Sequence, residues 1–178
     1  MQNNKSVVLF LAKFFGVYLV LFLLYSFYLQ NTQVKEPYFA CSPLTKRVAH
    51  QTQQVVKFFG YNSEIKQHNY EVSMKFIINE QFVARVIEGC NAVSIIILFI
   101  SFIIAFSTTF KATGIYILAG SALIYGINIF RIAIISIAIY EFPQYEGILH
   151  DYIFPAIIYG TTFLLWFIWV RKFSKLKK

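Results

Sequence analysis

Residues 112–140 read ATGIYILAGSALIYGINIFRIAIISIAIY and form the longest apolar stretch of the chain, with one charged side chain, Arg131. About 20 helical residues at 1.5 Å each cross a ~30 Å hydrocarbon core, so this stretch is long enough to span a bilayer. Residues 7–29, 92–110 and 152–170 are similar stretches. They lack the polar–apolar alternation of membrane β-strands. The sequence therefore predicts an all-α bundle of about four transmembrane helices.

The overall composition agrees with a membrane protein. The chain is 58% hydrophobic and 13% charged, whereas charged residues make up about 25% of a typical soluble domain. Its net charge of +8 is concentrated at the C-terminus. A basic flank directly after an apolar helix is typical of a cytoplasmic membrane surface, and no RNA-binding motif accompanies it. The predicted partner of the basic tail is thus the lipid bilayer and not nucleic acid.

The distribution of charge also predicts a topology. The basic tail, residues 171–178, is expected in the cytoplasm, and four spans then place the N-terminus there too. The connection 141–149 has two Glu and no Lys or Arg, which is typical of an outside loop. Residues 30–89 are also expected outside; their seven basic residues conflict little with this, because segments near ~60 residues translocate with less regard for charge. We expect a multi-pass protein of the cytoplasmic (inner) membrane, N-in and C-in.

The first apolar stretch resembles a signal peptide but exceeds the ~7–15 residues of a typical h-region. We therefore interpret residues 1–29 as a retained transmembrane helix. Residues 30–89 form an extracytoplasmic segment with soluble-like composition. Within it, residues 43–59 have the pattern of an amphipathic helix, and residues 70–78 and 82–87 that of a β-hairpin. The sequence thus predicts a small α+β insertion.

Three chemically distinctive residues lie in the remaining helical region, residues 90–170. Cys90 begins the second helix, where a helix N-terminus and a nearby cation favour the nucleophilic thiolate. Arg131 lies roughly 13 Å below the outer end of the third helix, and a charge inside a span costs about 2.5–3.5 kcal/mol even on the lenient insertion scale. His150 begins the fourth helix, and imidazoles transfer protons near neutral pH. All three are expected near the outer face, which suggests covalent chemistry on a peptide.

Other interpretations of these residues remain open. Cys41 is also expected outside, and a Cys41–Cys90 disulfide is consistent with a non-enzymatic scaffold or assembly factor. Arg131 is a candidate for a packing role or for an ion pair with Glu88 or Asp151. In a transporter or channel subunit it would be the positive charge that binds the substrate. The histidines and cysteines do not match common zinc spacings, and no phosphate-binding loop is present. We therefore expect no metal or cofactor.

Three motifs give the chain a resemblance to a known family. They read VIEGCN at residues 86–91, NIFRI at 128–132 and HDYIF at 150–154. Together they resemble the exosortase/archaeosortase family, most closely its small exosortase F branch. The resemblance implies an integral-membrane cysteine peptidase or transpeptidase of the hydrolase class, acting in protein sorting at the extracytoplasmic side. The implied substrate is an exported protein with a C-terminal signal made of a short motif, a transmembrane helix and a basic tail.

The resemblance also assigns roles to residues. It implies Cys90 as nucleophile, Arg131 as electrostatic stabiliser and His150 as general acid and base. Asn128 is a candidate to orient Arg131, and Asn91 to donate to the oxyanion. Many relatives have glycine two residues after the cysteine, whereas this chain has Ala92; the oxyanion geometry is expected to differ accordingly.

Overall fold

The structure, a computed structural model, describes residues 2–34, 38–107 and 109–173. Most of the predicted basic tail, residues 174–178, lies outside this part of the chain. The helices in chain order are α1 (Gln2–Thr32), α2 (Pro43–Phe58), α3 (Val93–Ala105), α4 (Phe110–Glu141), the single turn α5 (Glu146–Ile148) and α6 (Phe154–Phe173). The strands β1 (Ser63–Gln67), β2 (Ser73–Ile78) and β3 (Gln81–Ile87) lie between α2 and α3. The predicted helical bundle with a small α+β insertion is confirmed.

The described residues contain three helical stretches that are long and apolar enough to cross a membrane: Val7–Thr32, Phe110–Glu141 and Pro143–Lys172. The second predicted span is shorter than expected, because its helix, α3, has only 13 residues. At 1.5 Å per residue α3 is about 20 Å long, which is less than a ~30 Å hydrocarbon core. The chain before α3 instead forms a 3₁₀ turn, Glu88–Asn91.

The bundle core forms between α3, α4 and α6. Phe99 of α3, Ile124 of α4 and Trp169 of α6 are completely buried there. A Cβ atom on Gly120 would lie 2.3 Å from the ring of Phe99, so this close approach of α3 to α4 requires glycine. By contrast, α1 packs mainly on α3, and none of its membrane-spanning window is buried. Most of the surface of α1 is therefore available to lipid.

The insertion packs α2 and the sheet onto the C-terminal half of α4. The amphipathic helix begins after Ser42, whose side chain accepts a hydrogen bond from the Thr45 N–H, and its apolar face is buried. The sheet is antiparallel in the order β1-β2-β3. The two predicted strands are present as β2 and β3, whereas β1 was not predicted because its sequence, SEIKQ, has a single apolar residue.

A tight two-residue turn connects β2 and β3. Asn79 and Glu80 both have positive φ, 46° and 68°. This is the conformation of a type I′ turn, which matches the natural twist of a β-hairpin but strains a side chain other than Gly, Asn or Asp. The turn fixes the register in which β3 leads to the 3₁₀ turn of Cys90.

Candidate active site

One pocket of about 570 Å³ is lined by Cys90, Arg131 and His150 together. One wall is formed by β3 and the 3₁₀ turn that follows it, and the other by α4 and the start of α6. Most of the second wall is apolar, with Ile132 and Phe154 among its residues. The fold therefore places the three predicted residues in a common, largely apolar cavity. Their catalytic roles remain a prediction.

Cys90 lies within the 3₁₀ turn, shortly before α3 and not inside its first turn. Its side chain is partly exposed. The side-chain amide of Asn128, which is 1% exposed, donates a 2.7 Å hydrogen bond to the backbone carbonyl of Cys90. Asn128 thus fixes the turn that carries the thiol, and it was not expected in this role, since the sequence suggested that it orients Arg131.

Glu88 fastens the same turn to the beginning of α2. Its carboxylate accepts hydrogen bonds from the Ser42 N–H at 2.7 Å and the Ser42 hydroxyl at 2.9 Å, and another from the Thr45 hydroxyl. A carboxylate at a helix N-terminus also interacts favourably with the helix dipole. Glu88 is therefore engaged by α2 and does not pair with Arg131.

Asn91 belongs to this network and not to the pocket. Its side-chain amide donates to the Tyr25 hydroxyl at 2.7 Å and to the Thr45 hydroxyl at 3.1 Å. Its carbonyl oxygen accepts from the Val93 N–H at 3.0 Å, which caps the first turn of α3. The side chain is 1% exposed and does not line the pocket. The expected oxyanion donor is thus turned towards α1 and α2.

Ala92 has a left-handed backbone, with φ 64° and ψ 0°. This conformation costs roughly 1–2 kcal/mol for a residue with a Cβ atom and little for glycine. This is the position at which the chain departs from the glycine expected from the family resemblance. The sharp turn between Cys90 and α3 is therefore kept here at the expense of local strain.

Arg131 brings a positive charge into the pocket without a matching carboxylate. No ion pair involving Arg131 is found in the described residues, and its Nε atom is buried without a hydrogen-bond partner there. Cys90 and Tyr159 are the titratable groups near enough to interact with it electrostatically. A buried, unpaired donor is costly, so this guanidinium is suited to stabilise a negative charge that develops nearby.

His150 lies in a π-helical turn, Leu149–Ile153, directly before α6. Its Nδ1 atom is 3.1 Å from the Asp151 carboxylate, and its ring contacts Phe154 edge-on at 6.3 Å. An ionised carboxylate only accepts hydrogen bonds, so this contact places the hydrogen on Nδ1 and leaves Nε2 as proton acceptor. Both side chains are highly exposed, so the pair orients the imidazole weakly.

Sequence reasoning missed several residues around the pocket. Asp151 was considered only as a partner of Arg131, although it contacts His150 instead. Glu146 lines the pocket four residues before His150, a spacing that places two side chains on one helix face. The wall formed by β3 was also missed, because the sequence does not show where a hairpin lies relative to the bundle.

Both cysteines are free, so the structure contradicts the proposed Cys41–Cys90 disulfide. Cys41 is 1% exposed. Burial, together with the negative charge of Glu88, raises the pKa of its thiol to about 11, which makes it a poor nucleophile at neutral pH. Among residues 2–34, 38–107 and 109–173, no cluster of His, Cys, Asp or Glu is arranged to hold a metal ion.

A family model described as transmembrane exosortase (Exosortase_EpsH) matches residues 6–169. The chain belongs to the transmembrane exosortase family. The match extends from α1 to near the end of α6 and includes Cys90, Arg131 and His150. The resemblance to this family is thereby confirmed, and the match is compatible with the small exosortase F branch, which remains a prediction. No curated protein and no solved structure matches the chain.

Proposed function

We propose that this exosortase is a membrane-embedded cysteine peptidase or transpeptidase that cleaves a C-terminal sorting signal from exported proteins. One observation carries the proposal: a partly exposed thiol, a guanidinium with no ion pair among the described residues and a carboxylate-bound imidazole line the same pocket. These groups correspond to the nucleophile, the electrostatic stabiliser and the acid–base catalyst of acyl transfer. Membership of the family supports the same assignment.

In the first step, His150 takes the thiol proton of Cys90 through Nε2, and the resulting thiolate attacks the scissile carbonyl carbon. A C–S bond forms and the carbonyl electron pair moves to oxygen, where the Arg131 guanidinium stabilises the new charge. Arg131 forms no ion pair within the described residues, so its charge is not already neutralised and can act on the new oxyanion. His150 then gives a proton to the leaving amine as the C–N bond breaks, which leaves a thioester on Cys90.

In the second step, an acceptor amine or water attacks the thioester carbonyl. His150, through Nε2, removes a proton from this nucleophile, and the C–S bond breaks to restore the thiolate. Asp151 stabilises the imidazolium that forms in each step. An amine acceptor gives transpeptidation, whereas water gives proteolysis.

The proposed membrane arrangement places the reaction below the outer surface. With the N-in, C-in topology, α3 ends at the cytoplasmic side, and its length of about 20 Å leaves its first residue roughly 10 Å short of the outer edge of a ~30 Å core, with Cys90 in the turn just above it. A substrate transmembrane helix docks laterally against the bundle, and its basic tail remains in the cytoplasm. The mainly apolar wall on α4 and α6 then receives the segment adjacent to that helix.

The test is processing of an exported protein with a C-terminal apolar helix and basic tail, tagged at its N-terminus and expressed with the exosortase. Cys90→Ala, Arg131→Ala and His150→Ala should each slow cleavage about 100-fold or more, the scale expected for loss of a catalytic group. Matched controls replace a residue of the same type outside the pocket: Cys41→Ala, Arg47→Ala and His50→Ala. Normal processing by a Cys90→Ala protein present at wild-type level would refute the proposal.

A further inference from the structure

The strand β3 has a free edge whose second half, from Ala84 to Ile87, has little of the usual protection, because its β-bulge lies before Ala84. It is the last strand of the sheet and pairs only with β2. It is seven residues long, contains no proline or lysine, and its one charged residue, Arg85, donates two hydrogen bonds to the Glu71 carboxylate at 2.8 and 3.0 Å. Protein sheets normally block such edges with charges, proline or very short strands, because unpaired backbone groups bind other extended chains.

This free edge borders the pocket. Ala84 and Arg85 are consecutive and both line it, although successive side chains of a strand point to opposite faces of the sheet. The cavity therefore runs along the edge of β3 and not over one face. Across the cavity lie apolar residues of α4, including Ile135 and Ile139.

The pairing of the sheet identifies which backbone groups face the cavity. The His68 N–H bonds the Ser73 carbonyl and the Asn79 N–H bonds the Asn62 carbonyl. In an antiparallel sheet, the N–H and C=O of one residue both point to one neighbouring strand, and those of the next residue both point to the opposite side. The two bonds above show which residues of β2 point to β1. The backbone N–H and C=O groups of odd-numbered residues in β2 consequently point to β1.

Even-numbered residues of β2 then face β3, where their partners include Ala84 and Val86. Arg85 and Ile87, which alternate with these partners, direct their N–H and C=O groups away from the sheet. Both residues line the pocket. Ile87 is also the N-cap of the 3₁₀ turn Glu88–Asn91, so its C=O accepts the first hydrogen bond of that turn and only its N–H stays available. Among the described residues, the backbone groups of this strand end that face the cavity without a partner are the N–H and C=O of Arg85 and the N–H of Ile87, just before Cys90.

We propose that an extended segment of the substrate adds to β3 as a further strand, hydrogen-bonded to the backbone of Arg85 and Ile87. This inference rests on the proposed peptidase function and specifies how its substrate is held. Cys90 lies three positions after Ile87, at most about 10 Å along an extended chain, so the pairing positions a peptide bond at the thiol. Recognition through the backbone tolerates varied side chains, whereas the apolar wall of α4 selects residues on one side of the added strand.

The test measures alkylation of Cys90 by an oligo-alanine chloromethyl ketone, with the full chain in lipid nanodiscs. Arg85→Pro and Ile87→Pro remove edge-facing N–H groups, and proline is tolerated on an edge strand. Each is compared with Arg85→Ala or Ile87→Ala, which shortens the side chain but keeps the N–H. Each proline variant should react about five- to tenfold more slowly than its alanine counterpart, the effect of one hydrogen bond. With iodoacetamide, which needs no strand pairing, the proline variant and the alanine variant at the same position should react at equal rates.

The matched control is Ile65→Pro, at the corresponding outward-facing position of the opposite edge strand β1. Equal rates for the proline and alanine variants, or an equal slowing by Ile65→Pro, would overturn the inference. A second measurement uses the wild-type chain with a series of probes, each N-methylated at a different amide. Methylation at every second amide should slow labelling, because only alternate amides point to β3. An equal effect at all positions would contradict strand addition.

A dimer in native mass spectrometry that Arg85→Pro dissociates would assign this edge to a second copy of the chain and would also overturn the inference. The proposed function fails by a different result, namely substrate processing that continues in Cys90→Ala. If processing requires Cys90 but labelling ignores both edge prolines, only the strand-addition inference is wrong.

Discussion

The hydrogen bond from Asn128 to the Cys90 carbonyl offers a sharp test of how the site is held together. It joins the middle of α4 to the 3₁₀ turn at a donor–acceptor distance of 2.7 Å. Asn128→Ala removes the donor and leaves space in a buried position. Because the turn has few other attachments to α4, the change should both destabilise the fold and loosen the position of the thiol.

The expected magnitude follows from the environment of the bond. Hydrogen bonds between membrane helices contribute about 0.6 kcal/mol on average and up to about 1.7. A buried carbonyl left without its donor costs about 1–3 kcal/mol. We expect the free energy of unfolding to fall by about 1–2 kcal/mol. At this chain length each kcal/mol lowers Tm by about 2–4 °C.

The assay is thermal unfolding in nanodiscs, combined with the rate of Cys90 alkylation at a temperature where every variant is folded. Ser136→Ala is the matched control, since Ser136 is also buried on α4 but bonds only the Ile132 carbonyl of its own helix. It should change Tm little and leave alkylation unaffected. The reasoning is refuted if Asn128→Ala and Ser136→Ala have the same Tm and the same alkylation rate.

Three further predictions concern the insertion. Glu80→Gly should raise the free energy of unfolding by about 0.5–1 kcal/mol in chemical denaturation, because glycine adopts the positive φ of Glu80 without strain; a loss of stability would contradict this. Glu88→Gln should lower the free energy of unfolding by about 2 kcal/mol, because the hydrogen-bond donors of Ser42 and Thr45 lose a charged acceptor. An unchanged Tm would contradict this role of Glu88. Iodoacetamide at about pH 8 should modify Cys90 and spare Cys41, as peptide mass mapping can show. The folded state holds the Cys41 thiol in its neutral form. The stability that this contributes is fully present below the usual thiol pKa of 9.0 and is lost as pH rises towards the raised pKa of about 11. Equal labelling of both cysteines at pH 8 would contradict this burial.

The helical bundle could be predicted because its signal is a local one. The continuous apolar residues of α4 indicate a membrane helix by length alone, and the alternation around Phe76 indicates a strand. The length of α3 was predicted less well. Its apolar stretch is long enough to span, but the left-handed turn at Ala92 delays its start and the helix ends at Ala105. Neither boundary follows from hydropathy.

The site was predictable in its residues but not in its supporting contacts. A cysteine after a hairpin and an arginine inside a span are each unusual enough to be noticed in the sequence. Asn128 was noticed too, but its partner is a backbone carbonyl, and such a contact leaves no pattern in the side chains. The binding of Glu88 to the start of α2 joins residues 46 positions apart. Long-range polar contacts of this kind depend on the packed fold.

The central claim is that Cys90 carries the substrate acyl group at the moment of transfer. The most direct test is rapid acid quenching of the full-length protein acting on its substrate, followed by mass spectrometry of the peptide that contains Cys90. The account predicts a thioester adduct on Cys90 with the mass of the N-terminal cleavage fragment, which hydroxylamine releases and Cys90→Ala abolishes. Continued substrate cleavage by Cys90→Ala, with no adduct on the wild-type thiol, would contradict it.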